Sequence, residues 1–394
     1  MSANSGVIGF SPFSFNPAIR LGSVTGNSDL FVAETASVWS DGFAVRTLSD
    51  FNSVANAGTI TGRSAGVDLQ GSNNVVSNTG EILGPNSIVV RVFAEGLIDN
   101  SGTISGRSFG AVTRDGNGTI LNSGTISGRT AVFMQGDGTT NDSQLINSGD
   151  ILGLNDAVFV DDSPIQIVNT GTMSASVFGI VHTLISALHL SELDNAGTIT
   201  SGEAAYRGTN GVDRIDNSGS IQGDILTYDG VDNINNSGEI LGDVDLGNGA
   251  DIYRVTGTGQ TNGLVMAGTG DDTLQGGIFD DSIDGGDGAD VIRGRGGDDS
   301  ITGGAQLDTI SGGDGNDTLR GGPGADLLLG NAGDDLVDGG NSAFSGGGQA
   351  SARTTRNNTL DESQIRIDAD GDGTLDARIF LDGAVTLVET DFIL

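Results

Sequence analysis

A chain of 394 residues with 67 Gly, no Cys, 5% aromatics and a formal net charge of −35 has the length of two or three ordinary domains but not their composition. All 17 basic residues are Arg, too few against 52 acids to neutralise phosphates, which excludes a nucleic-acid binder and disfavours an anionic membrane surface. Charge of this size is tolerated by disorder or by bound cations, and acids clustered at regular intervals favour cations.

Residues 1–50 read as an N-terminal cap. The first 25 lack a basic start followed by an apolar core, so no secretory signal peptide is expected there. No run of 18 apolar residues follows, so no membrane insertion is expected. Glu34 lies 22 residues before Asn56, with Val32 and Val38 in flanking apolar columns, which suggests a degenerate first coil.

From 51 to 242 the chain repeats Asn-x-Gly-x-Ile. Asn56, Asn78, Asn100, Asn122, Asn147, Asn169, Asn195, Asn217 and Asn236 recur at spacings of 22, 22, 22, 25, 22, 26, 22 and 19. An aliphatic stands two residues before each Asn and another apolar residue four after it, as in Val54 and Ile60. The two point to one face of an extended chain, and Asn with Gly marks a tight bend between them. A unit this short cannot bury its own apolar face, so the units must stack, with the Asn amides forming a ladder along the axis. The expectation is an all-β parallel β-helix of about ten 22-residue coils. Phe178–Leu193 is the one helix-like stretch; it coincides with the 26-residue coil and reads as an excursion.

Enzyme signatures are weak here. Gly62-Arg-Ser64-Ala-Gly66 and Gly106-Arg-Ser108-Phe-Gly110 match a nucleophile-elbow string, but the repeat itself generates them and no base is near. The two histidines, His182 and His189, lie in the excursion. The column Arg63, Arg107 and Arg129 also arises by repetition, and Lys is absent, so a polysaccharide lyase or epimerase is an alternative rather than the main reading. An ice-binding face would need unbroken Thr pairs such as Thr59/Thr61 and Thr198/Thr200; Glu81, Leu83, Asp150, Leu152, Glu239 and Leu241 interrupt them.

Residues 243–340 contain 19 Asp, no Glu and 4 Arg. Eight nonapeptides of the form Gly-Gly-x-Gly-x-Asp-x-aliphatic-x run from Ala267 to Asp338. Their sixth positions are Asp272, Asp281, Asp290, Asp299, Asp308, Asp317, Asp326 and Asp335; their eighth are Leu274, Ile283, Ile292, Ile301, Ile310, Leu319, Leu328 and Val337. An isolated ninth unit, Leu246–Arg254, carries Asp251, which joins the eight as a candidate metal ligand, and fainter traces surround Asp213 and Asp232. The two repeat types grade into one another, which suggests one continuous rod. Short carboxylates on Gly-rich turns suit a hard cation held by side-chain and backbone oxygens together.

These nonapeptides resemble the repeats-in-toxin (RTX, haemolysin-type) family. The resemblance implies a parallel β-roll in which two nonapeptides form one coil and Ca2+ lies between turns of successive coils. It implies the pairs Asp272–Asp290, Asp281–Asp299, Asp290–Asp308, Asp299–Asp317, Asp308–Asp326 and Asp317–Asp335. Three positions depart from the pattern: Gln306 replaces the fourth Gly, and Arg295 and Asn331 replace the second. The turn at Gln306 is the weakest expected site.

Residues 341–358 read as a small-residue linker. Asp368, Asp370, Asp372, Gly373 and Asp376 then resemble the first half of an EF-hand loop, a further candidate metal site, although Ile379 stands where Glu belongs. The segment 359–394 ends Asp391-Phe392-Ile393-Leu394, which looks like the uncleaved signal of type I secretion substrates and also suits a β cap. The expected protein is therefore a secreted or surface-exposed, calcium-binding structural or adhesive protein. Its expected partners are calcium, the type I secretion machinery, and a surface polysaccharide or itself.

Overall fold

The computed structural model describes residues 28–86, 88–136, 143–161, 164–183 and 190–340 in full. For 19–20, 351–357, 362–368 and 377–382 it describes the backbone. Strands and turns account for the described residues, with no helix among them, so none could cross a membrane as one. The chain divides into two compact units, 1–229 and 230–394, ahead of the boundary expected at 243.

The first unit is a parallel β-solenoid. One sheet stacks nine coil strands from Asp29–Val32 to Val212–Asn217, each in register with the next: Val54 opposes Val76, Val76 opposes Ile98, and Ile98 opposes Ile120. Nine rather than about ten coils belong here because the coil of Asn236 falls in the second unit. Each regular coil adds two further strands, such as Thr59–Gly62 and Ala65–Leu69, on the other faces. The apolar columns fill the interior: Val54, Ile60, Val76, Ile82, Ile98, Ile104, Ile120 and Ile126 are buried.

The Asn column lies inside the bend. Asn78 Nδ2 donates to Asn100 Oδ1 at 2.8 Å, and the same bond repeats from Asn56 through to Asn217 at 2.7–2.8 Å. The other amide hydrogen serves backbone carbonyls, as in Asn122 Nδ2 to Gly124 O at 3.2 Å. Every rung is buried, so the ladder satisfies groups that would otherwise be costly to enclose.

Two expectations need correction. In the first coil it is Val32, not Glu34, that opposes Asn56, with Leu30 opposite Val54, while Val38 does oppose Ile60. The turn between them is two residues longer than in the other coils and is closed by Ala36 N–H to Ala33 O at 2.8 Å, so this coil carries no rung. The helix-like stretch is not helical. Phe178–Thr183 and Leu190–Asn195 are coil strands in register with their neighbours, and 184–189 lie outside the described residues. A near-continuous apolar run there reflects a strand buried on its inner face, which periodicity alone does not separate from a helix.

In the second unit, coils at Asn233–Asn236 and Ile252–Val255 precede the nonapeptides. From Thr273 onward each 18-residue coil has two strands only: Thr273–Gln275 pairs with Val291–Gly296, and Ser282–Asp287 with Ser300–Ala305. The eighth-position aliphatics from Leu274 to Leu319 are buried; Leu328 is half-buried. Residues 351–357, within the expected linker, form a strand antiparallel to 362–368, which pairs with 377–382.

Candidate metal centre

The turns of the nonapeptides place their aspartates in two columns, one per edge. Asp272, Asp290, Asp308 and Asp326 form one, and Asp281, Asp299, Asp317 and Asp335 the other. Within each, the backbone N–H of one Asp donates to Oδ1 of the Asp one coil on. The distances are 2.8 Å for Asp272 to Asp290, 2.9 Å for Asp290 to Asp308 and 3.0 Å for Asp308 to Asp326. They are 2.8 Å for Asp281 to Asp299, 2.9 Å for Asp299 to Asp317 and 3.1 Å for Asp317 to Asp335. All six expected pairs are thus immediate neighbours, one coil step of about 4.8 Å apart.

The second carboxylate oxygen is the informative one. Oδ2 of Asp272, Asp290, Asp299, Asp308, Asp317 and Asp326 is buried and accepts no hydrogen bond. A row of buried acceptors without donors is expensive unless a cation supplies the missing charge. Burial pushes Asp272 and Asp299 up to about 7 and Asp308 up to about 6, with the backbone N–H of the preceding coil opposing and neighbouring carboxylates adding to the rise. Burial likewise raises Asp281, Asp290, Asp317 and Asp326. Without an ion, the columns hold their negative charge poorly.

Among the described residues no three acidic or imidazole side chains converge on one point. Any ion must therefore be held by aspartate pairs together with turn carbonyls, the donor set a hard, oxygen-seeking cation prefers. The departures are absorbed by backbone strain. Arg295, Gln306 and Asn331 take φ of 83°, 86° and 73°, the left-handed region that Gly occupies elsewhere in these turns. The Gln306 turn therefore keeps its form, and Asp308 beyond it is fully buried.

Sequence reasoning passed over Phe279, which also replaces a fourth-position Gly. Its turn does differ: Oδ2 of Asp281 accepts the N–H of Gly277 at 2.7 Å, so this carboxylate closes on its own turn. Asp213, in the first unit, closes in the same way on Thr209 N–H at 3.0 Å.

A model of the RTX calcium-binding nonapeptide repeat matches four overlapping copies, at 266–301, 284–319, 293–328 and 311–343. Residues 266–343 are RTX repeats, and they bind Ca2+. No curated protein and no solved structure matches the chain significantly. The buried, donorless oxygens of the two RTX columns fit that ion.

Other candidates lie elsewhere. Asp368 ends the strand 362–368, while Asp370, Asp372 and Asp376 lie outside the described residues, as does the 391–394 terminus. His182 is buried, its Nδ1 3.2 Å from Ser191 Oγ, and burial lowers it to about 3; His189 lies outside the described residues. A shallow depression of about 350 Å³ is lined by Thr61, Leu83, Pro85, Ser105 and Arg107 with two glycines, and Arg107 is its sole ionisable group. The interrupted Thr columns are real: Glu81 stands between Thr59 and Thr103 in register, and Leu83 between Thr61 and Ser105.

Proposed function

We propose that the chain is a secreted protein of the cell surface or extracellular matrix, a structural or adhesive solenoid whose RTX segment folds on calcium binding after export. The single observation that carries this is the pair of aspartate columns with donorless, buried Oδ2 atoms. In a calcium-poor compartment these carboxylates repel one another and resist burial, which keeps the RTX segment open enough to thread a channel. Extracellular modules bind calcium at roughly 10⁻⁴–10⁻³ M, so millimolar calcium outside orders it. Binding free energy then becomes folding free energy.

A scaffold or adhesive role is favoured over catalysis by where the ionisable groups sit. The sixth-position aspartates form two ion-holding edges, His182 is buried, and a surface depression offers one Arg with no acid–base pair. A type I exporter and a surface glycan, or further copies of the chain, are the corresponding partners. Far-ultraviolet circular dichroism of the full chain at neutral pH, in chelator and then in millimolar calcium, tests the reading. Strand signal should rise substantially on adding calcium; equal spectra in both conditions would refute calcium-dependent folding.

A further inference from the structure

Upstream of the matched repeats, in the same unit, the first aspartate column does not stop at Asp272. The N–H of Asp251 donates to Asp272 Oδ1 at 2.6 Å, and the N–H of Asp232 donates to Asp251 Oδ1 at 2.7 Å. These coils step by 21 and 19 residues rather than 18, yet the carboxylates stay in one column. Asp251 is 0% and Asp272 1% exposed, and Oδ2 of each is buried with no hydrogen-bond donor.

The turn backbone is also preserved. Gly247 lies at φ 89°, beside 96° for Gly268 and 94° for Gly286, and Asn248, Thr269 and Asp287 are bridged in parallel from coil to coil. A Cβ on Gly270 would collide with the carbonyl of Gly249, so the two turns stack with bare backbone between them, as they do within the repeats. Leu246 and Ala267 occupy the place of the first nonapeptide Gly, which is why the repeat pattern fades here while the geometry continues.

The other edge behaves differently. Gly263 stands one coil before Asp281, since Leu264 opposes Ser282, and Asp281 turns Oδ2 inward to Gly277 N–H. That column ends there.

From these contrasts we infer that the step between Asp251 and Asp272 is a further calcium site, on one edge only, joining the isolated ninth unit upstream of the matched repeats to the first of the eight consecutive nonapeptides. The inference rests on the calcium reading above. Oδ2 of both aspartates and the stacked turn carbonyls supply its oxygens. It extends the ion column into coils whose length and sequence no longer follow the nine-residue rule.

Native mass spectrometry of the calcium-loaded full chain counts ions as integers. Asp251→Asn keeps an oxygen to accept the Asp232 N–H but lacks the charge, and should carry at least one ion fewer than the wild type with an unchanged circular dichroism spectrum in calcium. An equal ion count overturns the site. A wild type that holds no ions at all instead overturns the calcium reading itself.

A second measurement covers the case in which Asp251→Asn does not fold. The eight consecutive nonapeptides from Ala267 to Asp338 contain no Tyr or Trp, whereas Tyr253 is buried two residues from Asp251. Terbium luminescence excited through Tyr253 should fall at least tenfold in Tyr253→Phe and persist in Asp299→Asn, which breaks the nearest site on the other edge. Loss of emission in Asp299→Asn assigns the ion to that edge and overturns the proposal.

Discussion

Gln306 holds a side chain at φ 86°, where the fourth-position glycines Gly270, Gly288, Gly297, Gly315 and Gly333 lie between 106° and 157°. A non-Gly residue in this region costs about 1–2 kcal/mol, partly offset by the freedom a Gly adds to the unfolded chain. Gln306→Gly should therefore raise stability in calcium by roughly 0.5–1 kcal/mol, read as a higher denaturation midpoint. Asp213 makes a pH-dependent contribution in the first unit. Burial raises it to about 7, against the pull of Tyr206 Oη–H at 2.6 Å and of Thr209 N–H. A folded-state value above the unfolded 3.8 means the native chain binds the extra proton, so stability is present below about pH 4 and is lost as pH rises towards 7. Asp213→Asn should match the wild type near pH 4 and exceed it near pH 8 by a few kcal/mol. Equal pH profiles for the two chains would contradict the burial argument.

At the scale of the coil, the Asn ladder ties each turn to the next. Asn122 donates to Asn147 Oδ1, Gly124 O and Asp150 O, and its own Oδ1 receives Asn100 Nδ2. Asn122→Ala strands a buried donor on Asn100 and opens several carbonyls, so a loss of about 2–4 kcal/mol is expected in equilibrium unfolding. Much of this architecture was legible in the sequence, because a column of Asn at spacings near 22 and flanking aliphatics can be satisfied only by stacking. Sequence misplaced the first coil, where Val32 and a longer turn replace the rung, since a count of 22 cannot see where extra residues are housed. It also read Phe178–Leu193 as helix-like, because residues such as Ile180 and Val181 are apolar on consecutive positions. At the metal centre the strict nine-residue period made the eight aspartates legible, and the resemblance to RTX repeats implied their six pairs. Asp251 was legible as an isolated ninth unit, although Leu246 stands where the first Gly belongs, whereas the continuation to Asp232 was only a faint trace. The self-closure of Asp281 was not legible at all, since it depends on how the Phe279 turn bends.

For the molecule as a whole, a charge of −35, with 19 of the 52 acids in residues 243–340, makes order there conditional on the surroundings. Removing the metal should unfold the RTX coils first, while the first unit, whose interior is aliphatic and amide-laddered, keeps its strands. In the dichroism experiment this appears as partial rather than complete loss of strand signal in chelator. Its absence, with both units melting together, would show that the first unit depends on ions as well.

Every interior carboxylate in the two columns serves the coil before it through Oδ1 and stands between two successive steps. Filling one step therefore fixes an aspartate that the next step needs, and each bound ion lowers the ordering cost of its neighbour. Occupancy should spread like a closing zipper, and the strand signal should rise with calcium more steeply than any single-site curve. Such a chain responds to the passage from cell interior to exterior as a threshold, not as a gradual ramp.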